Sequence, residues 1–200
     1  MKTLALILLT AVASPAPVPA EPPADLVFDV LRNGQEFGRH EVRFDAGQDG
    51  ALLVDIDIEL RAGLGPITVF RYEHSSEEVW RDGQLVSLEA ETLKDGDRVA
   101  VDVERGSDAG LADLMPSSHW LGYDVALTRI LNTETGEPMP VEIEDLGLET
   151  IETASGTIEA RRIRMTGTLT VDLWYDAEGR WVGCAFEARG QSIRYVLQDA

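Results

Sequence analysis

The 200-residue chain carries 36 acidic against 17 basic residues, a formal charge of −19. Phosphate backbones and anionic lipid head groups repel such a chain, which argues against nucleic acid as a partner. Its single cysteine, Cys184, rules out an internal disulfide.

The chain opens on Met1-Lys2, continues as Leu4-Ala5-Leu6-Ile7-Leu8-Leu9, and runs through Ala and Pro to Ala20. A basic start, an apolar run too short to span a bilayer and a small-residue exit predict a signal peptide over residues 1–20. Cleavage is expected after Ala13 or after Ala20. Pro15, Pro17, Pro19, Pro22 and Pro23 remove backbone donors and forbid a continuing helix, so residues 21–25 read as a Pro-rich linker. No cysteine follows the apolar run and no later stretch is apolar enough to cross a bilayer, so neither a lipid anchor nor a membrane span is expected. The expected location is the periplasm, with the extracellular medium as second choice. Loss of Lys2 takes the mature charge to −20.

Residues 26–198 read as a single β domain. Val54, Ile56, Ile58 and Leu60 alternate with Asp55, Asp57, Glu59 and Arg61, which gives one face to a core and one to water. Val99, Val101 and Val103 repeat the pattern. Ile163, Met165, Leu169, Val171 and Leu173 keep one parity, and Gly167 among them reads as a bend or bulge in one strand. Asn33-Gly34, Asp82-Gly83, Asp95-Gly96, Ser155-Gly156, Glu178-Gly179 and Arg189-Gly190 fall at hairpin intervals. The fold class is therefore all-β with minor α. About nine to eleven strands in an antiparallel meander are expected to form a strongly curved sheet or a β-barrel, since a flat open sheet exposes its edges. From Ser107 to Leu131 the alternation stops. Ser117-Ser118 ahead of Trp120, Leu121, Val125, Thr128 and Leu131 predicts one short Ser-capped helix around residues 117–131.

His40 shares parity with Val42 and Phe44, and His74 with Phe70 and Tyr72, so both imidazoles point inward. With His119 they match no zinc-ligand spacing, and no metal or cofactor is indicated. No Gly-x-Ser-x-Gly elbow is present, and Ser117-Ser118-His119 is contiguous and forms no triad by itself. The same parity argument makes Cys184, beside Val182 and Phe186, a buried apolar filler. The aromatic residues gather near turns. Tyr72, Trp80, Trp120, Trp174 and Tyr175, with His40 and His74, are the candidate lining of an apolar pocket.

Phe37-Gly38-Arg39-His40-Glu41-Val42 after Asn33-Gly34, Tyr72-Glu73-His74 leading to Glu78-Val79-Trp80-Arg81-Asp82-Gly83, Asn132-Thr133-Glu134-Thr135-Gly136, and Trp174-Tyr175-Asp176 stand in an ordered set. Together they resemble an exported bacterial family, domain-of-unknown-function family 6134, over nearly the whole mature chain. That family is distantly similar to other exported curved-sheet domains, and more broadly to lipoprotein-carrier-like half-barrels that bind lipid chains in their concavity. The resemblance implies the compartment and the β architecture and carries over no catalytic residue. The leading expectation is a periplasmic protein that binds a hydrophobic small molecule or lipid in the concavity of its sheet. The alternatives are a small hydrolase using an inward His with a carboxylate, and an envelope scaffold with a protein partner.

Overall fold

The computed structural model describes residues 22–64, 67–107 and 110–198. The expected signal peptide lies outside the described residues. Residues 22–25 have no regular structure, and Asp25 Oδ1 accepts the Phe44 N–H at 3.0 Å.

Six strands follow one another as hairpins: β1 (Leu26–Arg32), β2 (Gln35–Ala46), β3 (Leu52–Leu64), β4 (Ile67–Arg81), β5 (Gln84–Lys94) and β6 (Asp97–Glu104). Two short strands, β7 (Arg129–Leu131) and β8 (Pro138–Pro140), pair in the connection that follows. A second meander comprises β9 (Glu142–Thr153), β10 (Gly156–Thr166), β11 (Thr170–Tyr175), β12 (Trp181–Ala188) and β13 (Gln191–Leu197). The two meanders join where β13 pairs antiparallel with β1, giving one 11-stranded sheet in the order β6-β5-β4-β3-β2-β1-β13-β12-β11-β10-β9. The sheet stays open, with β6 and β9 as its edges.

The X-Gly pairs make the turns expected of them. Asn33 and Gly34 have φ of 52° and 76°, and Asp82 and Gly83 have 51° and 75°. Two successive positive φ values match the right-handed twist of the strands they join. Gly38, inside β2, is required for another reason: a Cβ there would lie 1.9 Å from the Glu59 carbonyl oxygen. Gly167 departs from expectation. Rather than bending one strand, it turns the chain between β10 and β11, its N–H bonded to the Leu169 carbonyl at 2.9 Å. Parity survives because Met165 pairs with Val171 and Ile163 with Leu173 across that turn.

Alternation places Leu26, Phe28, Val30, Val42, Phe44, Val54, Ile56, Leu88, Val103, Leu173, Cys184, Ile193 and Leu197 on the concave face, all buried. The convex face of the first meander is acidic. Asp55, Glu77, Glu89 and Asp102 stand opposite one another across β3, β4, β5 and β6. Like charges so placed repel.

The chain connecting the two edges, β6 and β9, lies over the concave face, where Trp120 bonds to Glu78 of β4 and the His119 carbonyl accepts from Tyr175 of β11. Trp120, Ile130 and Leu131 of this strap are buried against the sheet. The helix expected around residues 117–131 does not form. The strap has a 3-10 turn at Leu111–Asp113, then irregular turns and β7. His119 and Gly122 adopt left-handed φ of 70° and 78°, which no α-helix interior accommodates. Ser117 caps nothing: its hydroxyl accepts the Thr133 N–H at 3.1 Å and meets Thr133 Oγ1 at 3.2 Å. Helical spacing arose because the strap drops Trp120 and Leu131 into the sheet while exposing Val125.

Candidate functional site

The concave face of β2 to β4 is set by strand register. His40, Ile58 and His74 lie in one row, Val42, Ile56 and Ser76 in the next, and Phe44, Val54 and Glu78 in the third. Four polar side chains, His40, His74, Ser76 and Glu78, thus enter an apolar, aromatic interior. Among the described residues, four of the five buried side-chain polar atoms without a hydrogen-bond partner belong to them: both His40 ring nitrogens, Ser76 Oγ and Glu78 Oε1. His40, Ser76 and Glu78 are 3%, 3% and 1% exposed. Buried polar atoms are ordinarily satisfied, so this concentration requires an explanation.

Glu78 is held in place by indoles. Trp80 and Trp120 donate their N–H groups to its Oε2 at 2.8 and 3.0 Å. Burial raises the carboxyl above the usual range, against the opposing pull of the Trp120, Ser118 and Trp80 hydrogen bonds. The two indoles meet edge-on at 5.5 Å between ring centroids, and Trp120 also meets Phe44 at 5.3 Å. His40 is enclosed by Trp181 at 5.1 Å, Tyr195 at 5.5 Å and Phe28 at 6.1 Å. Burial first, then the neighbouring His119 and His74, lower its pKa to about 3. The imidazole is neutral under ordinary conditions.

The strap adds His119 and Tyr123. The Tyr123 hydroxyl donates to the Pro116 carbonyl at 3.0 Å, so its oxygen accepts from His119 Nδ1 at 2.7 Å. Burial lowers His119 to about 4. The Tyr175 hydroxyl donates to the His119 carbonyl at 2.9 Å, tying the strap to β11. At the far rim the Tyr72 hydroxyl donates to Glu134 Oε1 at 2.8 Å, and His74 Nδ1 lies 2.8 Å from Thr92 Oγ1. Lys94 lies over the Tyr72 ring and pairs with Glu134 at 3.8 Å.

Of the seven residues the sequence singled out, six therefore share this interior: His40, Tyr72, His74, Trp80, Trp120 and Tyr175. Trp174 does not. Adjacent strand residues face opposite ways, and with Tyr175 turned inward Trp174 lies on the other face. There it donates its N–H to Glu149 Oε1 at 2.6 Å under the Arg162 guanidinium. Sequence reading passed over Ser76 and Glu78, although both share strand parity with His74, and kept Trp181 and Tyr195 out of the candidate lining although they belong to the same aromatic set.

Among the described residues neither His40 nor His74 is hydrogen-bonded to a carboxylate. Among the described residues no group of three His, Cys, Asp or Glu side chains is placed to hold a metal ion. Cys184 is buried, and burial pushes its thiol up, away from thiolate chemistry. Two clefts open on the molecule, the second lined in part by Ile58 and His74. One of about 420 Å³ sits between the Thr153–Glu159 and Asp176–Arg180 turns. Another of about 200 Å³ opens beside Asp57, Glu59, Glu73 and Glu91. No described helix is long and apolar enough to cross a membrane.

A large antiparallel meander, strongly curved and strapped across its concave face, defines a β-barrel-like fold. The chain belongs to the family described as domain of unknown function (DUF6134), which matches residues 28–198. No curated protein matches it. It is similar in fold to the crystal structure of a β-barrel-like protein of domain of unknown function DUF1849 from Brucella abortus. The TM-score is 0.58 at 7% identity, covering 90% of this chain and 97% of that one. The crystal structure of MucB gives a TM-score of 0.37 at 16% identity, covering 88% of this chain and 51% of that one.

Proposed function

We propose that this is an exported binding protein that takes an apolar or amphiphilic envelope ligand against the concave face of its sheet, beneath the strap. The observation that carries the reading is the set of unpartnered polar atoms on His40, Ser76 and Glu78, held within an aromatic wall. A binding site for an amphiphile needs an apolar surface with a few oriented polar groups, and this interior supplies both. The strap is the element that yields. It has almost no regular structure, and side-chain bonds such as Trp120 to Glu78 and Tyr72 to Glu134 hold it to the sheet. His40, Tyr72, His74, Trp80, Trp120 and Tyr175 line the proposed site. Export rests on residues 1–20 and points to the periplasm.

The test is native mass spectrometry of the mature protein recovered from the periplasm, followed by titration with the neutral apolar fluorophore N-phenyl-1-naphthylamine. Saturable binding that weakens in Trp120→Ala is expected. Absence of saturable binding to the probe and to a broad lipid panel would overturn the proposal. A second reading, docking of a protein partner, draws support from the edge strand β9. It pairs with β10 alone and exposes Leu146 and Leu148 at 39% and 60%. A free strand edge flanked by apolar side chains is a site for strand addition. A partner that co-purifies with wild type and is lost in Leu148→Lys would favour it.

A further inference from the structure

The charge that the concave face can tolerate narrows its ligand. Among the described residues the buried polar side chains are His40, His74, Ser76, Glu78, Thr92, Ser118, Thr133 and Thr153, without a lysine or arginine. Many of the arginines are engaged elsewhere. Arg43 pairs with Glu41 and Asp57, Arg61 and Arg71 with Glu73, and Arg162 and Arg164 with Asp172, all with partly exposed side chains. Lys94, at the rim, is taken up by Glu134. An anionic head group entering this interior would meet no cation and would lie near the Glu78 carboxyl. An ion buried without a partner costs several kcal/mol or changes its protonation.

The unpartnered atoms instead offer neutral hydrogen bonds. A neutral imidazole presents one donor and one acceptor, and a hydroxyl presents both. On strands ~4.8 Å apart rising ~3.4 Å per residue, Ser76 and Glu78 are roughly 7 Å apart at Cα and His40 and Ser76 roughly 12 Å. That span suits a head group with two or more polar atoms. Phe28, Val42, Ile56, Trp181 and Tyr195 surround it with apolar surface. Resting on the binding function proposed above, we infer that the site selects an amphiphile whose head group is uncharged and both donates and accepts hydrogen bonds, such as a glyceryl ester or primary amide, and rejects anionic heads. The low imidazole and raised carboxyl pKa values agree with an interior that disfavours charge.

The test displaces bound N-phenyl-1-naphthylamine with amphiphiles of one chain length below their micelle concentrations at pH 7.5. The heads compared are monoacylglycerol, primary amide, carboxylate, phosphate monoester and trimethylammonium. The uncharged heads are expected to displace the probe at concentrations at least tenfold lower than the anionic ones. In Ser76→Ala combined with His40→Phe that preference should shrink at least threefold while the apolar probe still binds. A variant that keeps the wild-type β-sheet circular dichroism and retains the full preference would overturn the assignment to these residues. Equal or tighter displacement by anionic or cationic heads would overturn the head-group inference and leave the binding function standing. Failure of the probe itself to bind would remove both.

Discussion

His40 makes the stability of the protein sensitive to mild acid. Its imidazole, enclosed by Phe28, Trp181 and Tyr195 and facing His119 and His74, titrates at about 3 when folded and at 6.5 in the reference state. The folded state therefore holds the neutral ring, and the unfolded chain takes up the proton first. Stability is complete above the unfolded pKa and is lost as pH falls from 6.5 towards 3. At pH 5 the unfolded imidazole is almost fully protonated and the folded one almost free of its proton, a difference of about 2 kcal/mol. At the bottom of the window it reaches roughly 5 kcal/mol, a large share of the stability of a typical domain. His40→Phe removes this contribution while keeping an aromatic ring among aromatic neighbours. Urea unfolding followed by tryptophan fluorescence at pH 7.5, 6 and 5 reads the effect. With a denaturant slope of ~2 kcal/mol/M, the wild-type midpoint should fall relative to the variant by about 1 M between pH 7.5 and pH 5. Relief of the net negative charge by acid acts on both proteins and cancels in the comparison. A midpoint difference that stays constant across the three pH values would refute the reasoning.

Glu89→Lys replaces two like-charge contacts in the carboxylate row, with Glu77 and Asp102, by opposite-charge ones. A gain of about 1 kcal/mol at low salt is expected, largely lost in 0.5 M salt, measured by thermal unfolding at both ionic strengths. Gly38→Ala places a methyl against the Glu59 backbone. The two strands must part, so a loss of about 3 kcal/mol or more is expected in urea denaturation. Trp120→Phe keeps an aromatic ring against Phe44 and Trp80 but removes one donor to the buried Glu78 carboxyl. That costs about 1–2 kcal/mol by the same measurement.

The sheet was legible because its signals are local and agree with one another. Alternation in Val54 to Leu60 and Val99 to Val103 sets which face is buried, and Asn33-Gly34 or Asp82-Gly83 sets where the chain reverses. The inward placement of His40 and His74 follows from the same parity. The strap was misread because its apolar residues answer to a sheet they cross rather than to a helix of their own. Gly122, inside the expected span, was the signal against a helix. Trp174 was misplaced although its neighbour Tyr175 could not share its face. Glu78 was passed over because a carboxylate on a strand reads as solvent-facing. Its burial depends on Trp120, 42 residues away, a contact that no local pattern encodes.

The first and last strands meet at the centre of the sheet, with Phe28 opposite Leu197 and Val30 opposite Tyr195. Each meander can zip up from neighbouring hairpins, but the seam between them closes a loop that runs from β1 to β13, the slowest kind of contact to form. Until residues 191–197 arrive, β1 is a bare edge and Phe28 and Trp181 lack part of their cover. Chains in which β13 has not yet been made, or has been cut away, therefore display an adhesive, unpaired strand, and the pairing of β13 with β1 is the step that seals the sheet.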